Sequence, residues 1–143
     1  SGAGASKTAL SYSYRLIGGV DPLGYAGLAD GRIRPAQEWL EATADSASPD
    51  APVLLFGLLE GPRAPDFFVA AKPGIELAAS PHHSRHGGVT VEEMRVPAFV
   101  AGAGVAPGRV RAARTIDLLP TLLEAMGRLE EFDGDGVSRV REG

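Results

Sequence analysis

Two short apolar runs set the strongest limit on how this chain can fold. Residues 66–71 and residues 96–100 are almost entirely apolar; a Lys-Pro-Gly turn follows the first and a glycine-rich loop, 101–108, follows the second. Runs this short and this apolar are typical of strands that are covered on both faces of a parallel sheet. Residues 116–126 then carry apolar side chains at helical spacing. The order strand, loop, strand, loop, helix predicts an α/β fold in which this helix packs on the sheet.

The rest of the chain predicts a few further elements around that unit. The pattern favours a strand at 10–17, a helix at 34–44, a returning strand at 75–78 and a single helical turn at 90–94 with a Thr-x-x-Glu capping pattern. Residues 50–59 fit a buried strand on periodicity alone. The Asp-Ala-Pro start and the length favour a helix there, with Asp50 as its N-cap. Residues 1–8 are small and polar, and we expect them to be disordered.

Size and charge narrow the function classes. A chain of 143 residues and 14.8 kDa fits a single domain, 1–143, and its 44% apolar and 22% charged residues are ordinary for a soluble protein. The net charge of −4 and the lack of a basic run argue against a nucleic-acid-binding surface. No apolar run approaches the roughly 20 residues of a membrane span. The compartment stays open, with a soluble, cytoplasmic protein favoured.

The three histidines mark the best candidate for a chemical site. His82, His83 and His86 all fall within five residues, in the histidine segment 80–88, and the chain has no cysteine. These imidazoles are therefore its only nitrogen or sulfur side chains suited to a transition metal. Pro81 and the glycines at 87–88 argue against a helix that would place two of the histidines on one face. Histidines on exposed polar loops are common, so the cluster alone leaves a metal site and a solvated loop both open.

Other patterns that suggest a site are weak. Asp133-Gly134-Asp135-Gly136 opens like a calcium loop but lacks the glutamate that closes one, so a structural turn is favoured. Asp117 is expected to support the N-terminus of the helix at 116–126 rather than bind a metal. Ser84 beside His83 is not a catalytic triad without a buried acid to orient the imidazole.

Residues 86–102, followed by residues 114–123, resemble the C-terminal part of the alkaline phosphatase superfamily. The similarity rests on a His-Gly pair at 86–87, a Val-Pro pair at 96–97 that opens a core strand, and an Ile-Asp-Leu-Leu-Pro-Thr-Leu-Leu stretch at 116–123 that opens a helix. The type I phosphodiesterase/nucleotide pyrophosphatase branch is the most similar. The resemblance is specific from about residue 49 to residue 127.

This resemblance implies a fold, a reaction and a role for one histidine. The fold would be a partial alkaline-phosphatase-like sheet with flanking helices. Enzymes of the family use two divalent metal ions, usually zinc and about 4 Å apart, to hold a phosphoryl group while a Ser or Thr attacks it. His86 matches the last metal-binding histidine of the pattern, and His82 and His83 would line the phosphate cleft. The substrate would be a small phosphate ester.

The chain also departs from the family pattern. The nucleophile and the remaining metal ligands of the family lie upstream of the matched region, and no histidine precedes His82. We therefore expect the C-terminal portion of a larger hydrolase, inactive and metal-free on its own. The alternative from a different class is a catalytically silent domain that keeps the scaffold for binding or assembly.

Overall fold

A computed structural model describes residues 10–60, 62–77, 87–102 and 105–140. Over these residues the chain is a small mixed helix/strand domain with one two-stranded sheet and four α-helices, joined by long irregular segments. The strands and α-helices, in chain order, are β1 (Ser11–Tyr12), β2 (Arg34–Pro35), α1 (Ala36–Thr43), α2 (Ala51–Leu59), α3 (Val91–Met94) and α4 (Leu118–Ala125). Two 3-10 turns flank α4, at Thr115–Asp117 and Leu129–Glu131.

The sheet is a short antiparallel pair near the start of the described chain. Ser11 lies opposite Pro35, and an isolated bridge joins Arg15 to Asp30. The predicted strand at 10–17 is therefore present only in part. Beyond β1 the chain bends around Asp21, whose carboxylate accepts hydrogen bonds from the Tyr14 hydroxyl at 2.7 Å and from the backbone N–H of the second and fourth residues after it. Such local side-chain bonds compete with a sheet ladder.

The core is built around the only tryptophan. Trp39 on α1 is fully buried, and its indole N–H donates to the Tyr12 carbonyl at 3.0 Å. The Arg34 guanidinium lies 5.1 Å from the centroid of the indole ring. The buried members of this core cluster are Leu23, Tyr25, Trp39, Ala51 and Val89. This small core joins β1, α1, the start of α2 and Val89, three residues after the last histidine.

Three of the predicted helices are present, and the ends of two of them differ in detail. The helix predicted at 34–44 forms as α1, and the one at 50–59 forms as α2. Asp50 occupies the N-cap position of α2 but has a left-handed φ of 58° and makes no cap bond, because its carboxylate pairs with Arg114 instead. The helix predicted at 116–126 begins as a 3-10 turn and continues as α4, with Gly127 following at φ 71°. Asp117 supports this N-terminus as expected, since it accepts the Arg114 backbone N–H at 2.9 Å.

The predicted core strands are wrong. Residues 66–71 and 96–101 form no strand, and residues 75–77 of the predicted returning strand form none either. Phe67 is 76% exposed and Phe99 is 94% exposed. A strand needs a neighbour to satisfy its backbone N–H and C=O groups. Within the described ranges neither apolar run has one, both runs leave large apolar side chains exposed to solvent, and no alkaline-phosphatase-like sheet is seen there.

The prediction that the helix at 116–126 packs on a sheet is wrong: within the described residues, α4 packs on none. Its buried side is formed by Pro120 and Thr121, with Asp117 just before it, whereas most of its large apolar side chains face solvent. The exposed ones on and around the helix are Ile116, Leu118, Leu119, Leu122 and Met126. The helical spacing therefore places these side chains in an apolar stripe that could pack against another element, but no described residue covers it.

Candidate functional site

The three histidines lie outside the described residues. The metal-ligand role predicted for His86 and the cleft role predicted for His82 and His83 therefore stay predictions. The structure does describe both flanks of the histidine segment, which end at residue 77 on one side and resume at residue 87 on the other.

The flank after the histidines is anchored to the core. Val89 is buried in the core cluster around Trp39, and the backbone N–H of Val91 donates to the Ala47 carbonyl at 2.9 Å. The Arg95 guanidinium donates to the Ala44 carbonyl, just beyond α1. Within seven residues, one buried side chain thus ties this flank to the core, and two hydrogen bonds tie it to the loop between α1 and α2.

Of the glycine pair next to His86, the backbone conformation requires glycine only at Gly87. Gly87 has a φ of 99°, a backbone conformation that side chains rarely adopt. At Gly88 an added Cβ would meet the Glu93 carboxylate, the exposed end of a flexible side chain that can move away. That carboxylate accepts a hydrogen bond from the Thr90 hydroxyl at 3.1 Å, so the predicted Thr90–Glu93 pair forms through its two side chains rather than as a capping box. The predicted helical turn is present as α3.

The flank before the histidines is apolar and uncovered. The predicted turn at 72–74 forms, with the Ile75 N–H donating to the Lys72 carbonyl at 3.0 Å and Gly74 at φ 79°. The large apolar side chains on this flank that face solvent are Phe67, Phe68, Val69, Ile75 and Leu77. In sequence, the histidine segment therefore lies between an uncovered apolar flank and an anchored flank that leads into the second uncovered run.

Two ion pairs buried below the surface hold α2, α4 and the tail together. Arg114 donates to both carboxylate oxygens of Asp50, with Nε at 2.6 Å and Nη2 at 2.8 Å. Arg139 donates through Nε and Nη2 to Asp117, both at 3.1 Å. Burial raises the pKa of the Asp50 carboxyl, and the hydrogen bond from Arg114 opposes that rise. Sequence reasoning missed both pairs, because partners 64 and 22 residues apart leave no local signal.

A cavity of about 350 Å³ at the C-terminal end of α1 is lined by three arginines. Its lining consists of Asp45, Arg95, Arg109, Val110 and Arg111. Arg111 donates to the Asp45 carboxylate at 2.5 Å and to the Glu41 carbonyl at 3.0 Å. The hydrogen bond and charge of Arg111 hold the pKa of the Asp45 carboxyl below its usual value. Sequence reasoning missed this cluster as well, since no spacing connects Asp45 with arginines 50 or more residues away.

A second cavity, of about 310 Å³, lies between α4 and the predicted turn at 133–136. It is lined by Thr115, Ile116, Leu119, Phe132, Gly134, Asp135 and Gly136. The Val137 N–H beyond the turn donates to the Asp117 carboxylate at 2.9 Å, which brings the turn back against the helix. Among the residues that the structure describes, no group of three or more His, Asp or Glu side chains is placed to hold a metal ion.

Comparison with known proteins identified no relative. No family model, no curated protein and no solved structure matches this chain. In the part of the chain that the structure describes, no helix has the length and apolar character needed to cross a membrane.

Proposed function

We propose that this chain is the C-terminal portion of a metal-dependent phosphoric-ester hydrolase of the phosphodiesterase/nucleotide pyrophosphatase type, with His86 as one metal ligand. The observation that carries the proposal is the pair of uncovered apolar runs on either side of the histidine segment in sequence. Phe67 and Phe99, at 76% and 94% exposure, belong to runs whose composition is that of strands covered on both faces.

The uncovered runs support a larger catalytic domain. Where exposed apolar side chains gather on a protein surface, they normally mark a contact site. Neighbouring strands from the rest of a catalytic domain would pair with residues 66–71 and 96–101 and would cover the apolar stripe of α4. In open α/β sheets, ligands bind at loops that leave the strand ends. A histidine segment between two such strands is where a metal ligand is expected.

The donor set of this chain fits a share of a metal site and not a whole one. One neutral imidazole at His86 suits zinc or another divalent ion, while carboxylates and further imidazoles would come from the rest of the domain. Bound metal ions would supply charge stabilisation for the phosphoryl group. His82 and His83 would donate hydrogen bonds to phosphate oxygens in the cleft. Because ligand number sets affinity, the chain alone should bind zinc no tighter than about 1 µM.

The test uses the full gene product, including whatever is encoded upstream of Ser1. Hydrolysis of a nitrophenyl phosphate ester is measured with zinc present, for the unaltered protein and for His86→Ala. Loss of a metal ligand should lower kcat/KM by about 100-fold or more, given that even supporting residues around a metal contribute about 10- to 100-fold. The matched control His83→Ala should raise KM and leave most of kcat.

Two results would refute the assignment in different ways. A folded full-length protein without zinc-dependent hydrolysis would favour the catalytically silent binding or assembly domain. Hydrolysis that is unchanged in His86→Ala would keep the enzyme class and remove His86 from the metal site.

A further inference from the structure

The arginine cavity at the end of α1 has the features of an anion site. We propose that Arg95, Arg109 and Arg111 bind a phosphate-type dianion there, either free phosphate or the phosphoryl group of a small molecule. The inference uses only described residues outside the histidine segment, and it does not depend on the proposed hydrolase.

Two of the guanidinium groups are fixed in place by the backbone. Arg111 donates to the Glu41 carbonyl in the last turn of α1, and Arg95 donates to the carbonyl of Ala44, the residue that ends the helix. Carbonyls at a helix C-terminus carry partial negative charge, which favours cations at this position. A guanidinium has five N–H donors, so each arginine keeps donors for a ligand after making these bonds. The helix end thus orients two cations at the cavity in advance.

The charge at the cavity is not balanced. Among the described residues that line it, three are arginines and one is a carboxylate, that of Asp45, which lies 2.5 Å from Arg111 and 3.7 Å from Arg95. The nearby Glu41 side chain accepts a hydrogen bond from Gln37 and does not line the cavity. The local charge is therefore +2, on a chain whose net charge is −4. A dianion neutralises this excess.

The third arginine is available for a ligand. Within the described part of the chain, Arg109 makes no hydrogen bond or ion pair, although it lines the same cavity as the two anchored arginines. A planar carboxylate is matched by one guanidinium fork, whereas the oxygens of a tetrahedral phosphate accept from several directions. Three guanidinium groups around one cavity of about 350 Å³ therefore favour phosphate over a carboxylate.

The test is a titration of the 143-residue chain, labelled with nitrogen-15, with inorganic phosphate at constant ionic strength. The amide signals of residues 95 and 109–111 and the arginine Nε–H signals should shift in a saturable way. Arg109→Gln should weaken binding about tenfold, the effect of losing one charged hydrogen-bond donor. Asp45→Asn raises the local charge from +2 to +3 and should tighten binding.

The controls separate a site from general charge effects. Arg128 is an exposed arginine that pairs with Glu131 and does not line the cavity, so Arg128→Gln should leave phosphate affinity unchanged. Arg109→Gln removes no contact seen in the structure, so its thermal unfolding should match that of the unaltered chain. The proposal is overturned if the shifts do not saturate, if chloride at equal ionic strength reproduces them, or if Arg109→Gln binds as tightly as the unaltered chain. Weaker binding by Asp45→Asn would also overturn it.

Discussion

Replacing Arg114 with methionine should strongly destabilise the fold, because it leaves a buried carboxylate without its cation. The Asp50 and Arg114 side chains are only 7% and 16% exposed, and two hydrogen bonds of 2.6 and 2.8 Å join them. Removing one partner of such a pair costs about 3–5 kcal/mol. Arg114 also donates to the Ala36 carbonyl at 2.6 Å, which adds a lost hydrogen bond. The partial exposure of Arg114 places the expected loss near the lower limit, about 3 kcal/mol.

The pH dependence gives this prediction a second, independent check. Burial already raises the pKa of the Asp50 carboxyl, and without Arg114 it should rise further. A carboxyl with a raised pKa in the folded state binds its proton more tightly there than in the unfolded chain. Its contribution to stability is therefore present at low pH and is lost as the pH rises through the folded-state pKa. The deficit of Arg114→Met relative to the unaltered chain should be larger at pH 7 than at pH 4.

The assay is urea unfolding followed by circular dichroism, with the midpoint compared at a constant denaturant slope. The matched control is the double variant Asp50→Asn/Arg114→Met. Asparagine keeps the shape of aspartate, tolerates the left-handed φ of 58° and carries no charge, so the double variant should be more stable than Arg114→Met at pH 7. Equal deficits at pH 4 and pH 7, or a double variant no more stable than the single one, would refute the reasoning.

Two further predictions test local features of the fold. Gly136→Ala would place a Cβ 2.1 Å from the Ile116 carbonyl oxygen and should destabilise the fold by about 1–3 kcal/mol. The control Gly57→Ala, inside α2, meets nothing within 4 Å and should stabilise the fold by about 0.5–1 kcal/mol. Urea unfolding midpoints measure both effects, and equal effects would contradict the packing at Gly136. Burial and the hydrogen bond to Asp21 raise the pKa of Tyr14 to about 12 from 10.0, so the folded state holds this proton more tightly and loses stability as the pH rises from 10 to 12. Absorbance at 295 nm should show a phenolate step near pH 12 that is missing in Tyr14→Phe, and a step that persists in this variant would assign it to another tyrosine.

The helices were predictable because their signals are local. A proline in the first turn, apolar residues at helical spacing and a terminal glycine all lie within the segment that they specify, as in α2 and α4. The runs at 66–71 and 96–101 gave a wrong result for the opposite reason. Their composition indicates that they are suited to burial. A strand forms only when it pairs with another strand, and the described part of the chain offers these runs no partner strand.

The same difference between local and long-range signals applies to the candidate sites. The histidine segment was evident because its three imidazoles are adjacent in sequence, although their placement lies outside the described residues. The arginine cavity and the Asp50–Arg114 pair became apparent only in the folded chain. Asp45 and Arg111 are 66 residues apart, and long-range charge pairs of this kind leave no periodic pattern in a single sequence.

The burial of Trp39 gives this protein a single tryptophan whose fluorescence reports on the core. Its indole is the only one in the chain, is shielded from water, and lies 6.1 Å from the Tyr25 ring, which itself lies 5.9 Å from the Tyr14 ring. Excitation energy absorbed by these tyrosines can transfer to the single indole. The emission spectrum therefore depends mainly on the environment at the junction of β1, β2 and α1. Loss of that junction would shift the emission to longer wavelength, while movement confined to the uncovered apolar runs would leave the spectrum unchanged.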